Sequence, residues 1–121
     1  MRMEHEIIIK NVDQLEWQTL PGGFKYKFIA IGDKFLTGMG LAEPGGGETW
    51  HKHTTEVEET YYVLKGKGKI WWRADGQEQS LEFSEGDSMY LPRGCENKFI
   101  NTGVGELLLL FNITKTVKMR E

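Results

Sequence analysis

A chain of 121 residues has room for one hydrophobic core, and 39% apolar with 12% aromatic residues is enough to build it, which excludes disorder. Lys and Arg number 15 against 18 Asp and Glu, a net charge of −3 with no basic stripe, so a nucleic-acid partner is not expected. The longest apolar run, residues 107–111, falls far short of the roughly 20 residues a helix needs to cross a bilayer. Acidic residues interrupt any signal-peptide pattern at the N-terminus, and Cys95 has no second cysteine to pair with. A cytoplasmic protein with no membrane partner is expected, with His5 exposed near the terminus.

Taken in chain order, the first segment with any pattern is residues 12–17, a weak helical turn that Asn11 or Asp13 would cap. Phe24, Tyr26, Phe28 and Ala30 then alternate with Lys25, Lys27 and Ile29, the period of a half-buried strand. Residues 35–41 follow the Gly32-Asp33 turn. Residues 60–64 are dense in β-branched and aromatic side chains and end before Gly66. Residues 69–73 run through Ile70, Trp71 and Trp72 to Asp75-Gly76, a strong hairpin signal, and 79–83 return from it. Residues 89–91 stop at Pro92, and 98–101 and 106–113 flank the Thr102-Gly103 turn. The run 107–110 breaks alternation, which predicts a strand buried on both faces, one inside and one against a second copy or the N-terminal strands. Short strands at this spacing specify an all-β sandwich or barrel. One domain spans 1–121, with N-terminal strands in 1–33 added to a barrel core at about 35–113.

The chemistry is concentrated between Gly45 and Gly66. His51 and His53 are one residue apart, so in a strand both imidazoles share a face and can meet at one metal ion. A carboxylate on the next strand completes a two-histidine, one-carboxylate set that leaves coordination positions open. Glu59 opens the Tyr-Tyr-Val strand and shares a face with Tyr61 and Val63. Trp50, Tyr61, Trp71 and Phe99 are candidates to line a pocket beside it. Gly45-Gly46-Gly47 lacks the Lys-Ser/Thr and helix of a phosphate loop and reads as a turn.

This pattern resembles the cupin superfamily. Gly45, His51, His53, Glu59 and Gly66 follow its first motif; Gly86, Pro92, Gly94 and Asn101 follow its second. The resemblance implies a jelly-roll β-barrel (double-stranded β-helix) with a divalent metal, Fe, Mn, Zn or Ni, in its interior. Two positions depart from the motifs. Five residues separate His53 from Glu59 where the family has three or four, so Glu58 or Glu56 stays open as the carboxylate ligand. Asn97 stands where the family has its last histidine, either as a weaker amide ligand or as a buried, hydrogen-bonded amide. Cys95, two residues earlier, is a soft ligand candidate or a small hydrophobe. The expected function is a small metal-binding cupin, acting as an oxygenase-, isomerase- or lyase-type enzyme on a small oxygenated or carboxylated molecule. The alternative is a non-catalytic binding or sensing cupin with a depleted metal site. The resemblance also implies a homodimer.

Overall fold

A computed structural model describes residues 6–116, so His5 lies outside the described residues. Among them, ten strands form two antiparallel sheets. The first sheet has the order β1 (Gln18–Thr19), β2 (Lys25–Ile31), β3 (Phe35–Ala42), β10 (Leu107–Thr114), β5 (Glu59–Lys65), β8 (Ser88–Leu91). The second has the order β4 (Gly47–Lys52), β9 (Glu96–Asn101), β6 (Lys67–Ala74), β7 (Gln77–Ser84). The two face each other as a jelly-roll barrel. At the β6–β7 hairpin Asp75 and Gly76 both have positive φ, 51° and 74°, the backbone that a two-residue turn needs to match strand twist.

Alternation decides what lies inside. Leu36, Tyr61, Val63, Leu107, Leu109, Phe111 and Ile113 from the first sheet meet Ile70, Phe83 and Phe99 from the second. Each such side chain contributes about 1.5–3 kcal/mol on burial. Two glycines of β3 make space for this packing. A Cβ on Gly38 would run into the Phe111 ring, and one on Gly40 into the Phe24 ring.

The 107–110 run is expected to be buried on both faces, yet it alternates: Leu107 and Leu109 are fully buried, while Leu108 and Leu110 are half-buried on the outer face. There Leu110 lies opposite Met39 and Tyr62, and Leu108 opposite Leu41. This outer face is therefore apolar along its centre, and Tyr62, Leu64 and Tyr90 are exposed along it.

At the N-terminus the helical turn is one 3-10 turn, Val12–Gln14, capped by the Asn11 side chain. Strand structure begins only at Gln18; residues 6–11 belong to no regular element. Lys27 pins this segment to the barrel. Its Nζ donates to the Val12 carbonyl at 2.6 Å and sits 4.4 Å from the Trp17 ring centre, so this lysine is buried yet paired.

Gly38→Ala and Gly40→Ala are each expected to destabilise the fold by about 1–3 kcal/mol through overpacking against a buried ring. Urea denaturation measures this, and an unchanged midpoint in both variants contradicts the packing described.

Candidate metal centre

The site begins with an irregularity in β4. Glu48 lies opposite Phe99 and His51 opposite Asn97, three steps on one strand against two on the other. Thr49 and Trp50 thus share the single partner position of Lys98, which is a β-bulge. Strict alternation would put Glu48 and His51 on opposite faces. The extra residue returns Glu48 to the inner face, beside His51 and His53.

Four ionisable groups consequently gather in the barrel interior. Glu48, His51, His53 and Glu59 have side chains only 3–8% exposed. His51 Nδ1 is 2.9 Å from the Thr49 carbonyl and 3.6 Å from Glu48 Oε1. A carbonyl oxygen only accepts, so Nδ1 carries a proton directed at it. This is the arrangement in which a backbone carbonyl and a carboxylate orient a metal-binding imidazole. His53 Nε2 is 3.6 Å from Glu59 Oε1, and the two imidazole rings are 5.1 Å apart, edge to face. Two donors on one tetrahedral zinc, with bonds of about 2.0–2.1 Å, stand about 3.3 Å apart. His53 and Glu59 fit that separation closely. Among the described residues no three His, Cys, Asp or Glu side chains form a ready-made metal-binding group; the four stand as two carboxylate–imidazole pairs.

The extra residue before Glu59 is absorbed in a turn, where the Val57 amide donates to the Thr54 carbonyl at 3.1 Å. Glu59 keeps its inward position beside Tyr61 and Val63. Glu58 points outward and accepts from Tyr90 Oη at 2.7 Å, and Glu56 is exposed in the turn, so neither faces the cluster. Asn97 is buried opposite His51, with Nδ2 3.4 Å from the Cys95 carbonyl. It shares with His53, Glu59 and Cys95 a gap too narrow for a water molecule. The motif residue Asn101 has a structural role: its Nδ2 donates to the Ala42 and Gly105 carbonyls, and its Oδ1 accepts from the Gly103 amide.

A cavity of about 420 Å³ opens beside the cluster, lined by Glu48, His53, Glu59 and Tyr61 and by apolar side chains including Phe24, Tyr26, Phe28 and Phe111. Of the four pocket candidates, Tyr61 lines it. Phe99 is core, packed edge to face on Phe24 and Tyr61 at 5.0 and 5.9 Å. Neither tryptophan lines the cavity, contrary to the expectation. The bulge turns Trp50 outward, where it stacks on Arg73 at 3.8 Å, and Trp71 alternates with inward Ile70 to stack on Lys98 at 4.9 Å. Glu48 is the residue that motif spacing misses, because no pattern in the sequence marks the bulge.

Residues 39–113 match the family model of the cupin domain. The chain belongs to the cupin family. Solved cupin-fold structures overlay on it at low identity, which supports the fold alone. An RmlC-like cupin from Shewanella frigidimarina matches at 17% identity and a TM-score of 0.71, over 95% of this chain and 96% of that one. A predicted oxalate decarboxylase from Thermotoga maritima matches at 19% and 0.73, over 90% and 100%. The polyketide cyclase RemF from Streptomyces resistomycificus matches at 18% and 0.75, over 96% and 85%. No curated protein sequence matches this cupin. Among its described residues no helix is long and apolar enough to cross a membrane.

Burial, reinforced by the Glu59 charge and partly offset by a hydrogen bond from Asn97, pushes the Cys95 thiol above its ordinary value of 9.0. Alkylation needs the thiolate. Iodoacetamide labelling of Cys95 is therefore expected to be slow at neutral pH, with a midpoint above 9.0 that Glu59→Gln lowers. By linkage, the stability this thiol contributes is lost as pH rises through its folded-state pKa.

Proposed function

We propose that this cupin binds a divalent metal ion through His51, His53 and Glu59, and holds it beside a small oxygenated or carboxylated molecule in the 420 Å³ cavity. The supporting observation is the buried pairing of each imidazole with a carboxylate, with His51 Nδ1 held by the Thr49 carbonyl. Glu48 and the Thr49 carbonyl orient His51 from behind. Glu59 supplies negative charge for a cation, and its own strand holds it beside Tyr61. Phe24, Tyr26, Phe28 and Phe111 present apolar walls that limit water near the bound molecule. The ion itself would supply Lewis acidity, or redox chemistry if it is iron. Asn97 faces the same interior as a neutral, weaker donor.

That substitution supports a second reading, a cupin that binds a small molecule without transforming it. The two part on chelation: a binder keeps its ligand affinity after metal removal, and an enzyme loses turnover. A cytoplasmic setting is compatible with the free Cys95. We also propose a homodimer, with the outer face of β3, β10, β5 and β8 covered by the same face of a second copy. Such a two-fold contact is self-complementary, and the apolar centre of this face runs continuously from Met39 through Leu110 to Tyr62.

Elemental analysis of purified protein, followed by calorimetric titration of chelator-stripped protein with zinc and manganese, tests metal binding. His51→Ala with His53→Ala is expected to abolish uptake, Glu48→Gln to weaken it by about 10- to 100-fold, and Asn97→His to tighten it. Equal titration by wild type and the double-alanine variant overturns the proposal. Light scattering is expected to give a dimer mass for the wild type and a monomer for Tyr62→Glu with Leu110→Glu.

A further inference from the structure

A second cavity lies on the far side of the cluster. Its volume is about 380 Å³, and it opens between the edge strands β7 and β8, with walls of Ile70, Trp72, Met89 and Leu91 and a floor of Cys95 and Asn97. It shares no lining residue with the cavity described above. A narrow gap without room for water touches both, lined by His53 and Glu59 of the first cavity and by Leu91, Cys95 and Asn97 of the second.

We propose that this second cavity binds a small, neutral, planar molecule carrying a carbonyl, amide or hydroxyl group, and that the Asn97 carboxamide recognises that group. The volume falls within the range of small-molecule sites, about 300–1,000 Å³. Its walls are apolar, and Trp72 among them is an aromatic side chain against which a ring can pack. None of its lining residues is Asp, Glu, Lys, Arg or His, so a charged ligand would lose its hydration with nothing opposite to replace it. Asn97 is 1% exposed, and its carboxamide can donate twice and accept twice. Its Nδ2 reaches the Cys95 carbonyl at a long 3.4 Å, and the carboxamide also hydrogen-bonds the Cys95 thiol, which leaves part of its donor and acceptor capacity for a ligand. Such an amide, buried at the end of an apolar cavity, is a receptor for a matching polar group. At the mouth, Leu81 is 63% exposed, apolar surface that an occupant would cover.

Benzamide and benzoate are suitable probes, since they share a ring and differ in charge. Backbone and side-chain amide NMR of chelator-treated protein is expected to show saturable benzamide shifts at the Trp72 indole N–H and the Asn97 carboxamide. Benzoate is expected to bind at least about tenfold more weakly, for want of a cation to replace its lost hydration. Asn97→Leu is expected to weaken benzamide about tenfold. Leu81→Trp, at an exposed position that the fold tolerates, is expected to block the mouth and abolish the shifts. Shifts centred on Tyr26, Phe28 and Tyr61, equal affinity for the two probes, no shifts at all, or full binding by Leu81→Trp would each overturn the proposal. Because the metal is removed throughout, these outcomes are independent of whether the first cluster holds an ion.

Discussion

Two carboxylates are buried in an apolar barrel, and each stands against an imidazole. An ionised carboxylate without a partner in such a place costs several kcal/mol, and the imidazoles of His51 and His53 stand where they offset that cost for Glu48 and Glu59. The remainder of the interior is arranged around that constraint. The bulge at Thr49–Trp50 delivers Glu48, the turn at Thr54–Val57 delivers Glu59, and the aromatic side chains of β2 and β10 wall off the approach. A polar cluster held this way is specific in geometry and costly to disturb.

The cluster also divides the barrel. On one side lies a cavity that the histidine and both carboxylates reach; on the other lies one bounded by neutral side chains and the Asn97 amide. Asn97 stands opposite His51 across β4 and β9, so an imidazole there would face the same cluster. With an amide in its place, the second side of the barrel becomes a neutral polar surface in an apolar setting. The outer face of the β4-β9-β6-β7 sheet takes no part in either cavity. Its tryptophans are covered by cation stacking from Arg73, Lys69 and Lys98, which shields exposed rings with the side chains of the same sheet.

How far the sequence can be followed depends on whether alternation holds. Where it does, in β5 and β9, the inward residues are those that period-2 reading selects: Glu59, Tyr61, Val63, Asn97 and Phe99. Where one residue is inserted, parity reverses beyond it. Glu48 was invisible for that reason, and Trp50 was misplaced by the same bulge. Trp71 failed differently: its neighbours Ile70 and Trp72 are equally apolar, so hydrophobicity alone does not say which of the three faces inward. Cys95 precedes the first residue of β9, yet it lines the same gap as Asn97, and nothing in their spacing indicates a cavity between β7 and β8.

What the chain determines by itself is the strand pattern, the turn at Asp75-Gly76 and the His-X-His and glycine punctuation of a cupin, because these arise from backbone preferences and local periodicity. Which carboxylates meet the imidazoles, and that two separate cavities flank them, was decided only when the sheets closed over each other. Those relations join residues from different strands, and a single bulge, which costs little locally, shifts every side chain that follows it to the other face.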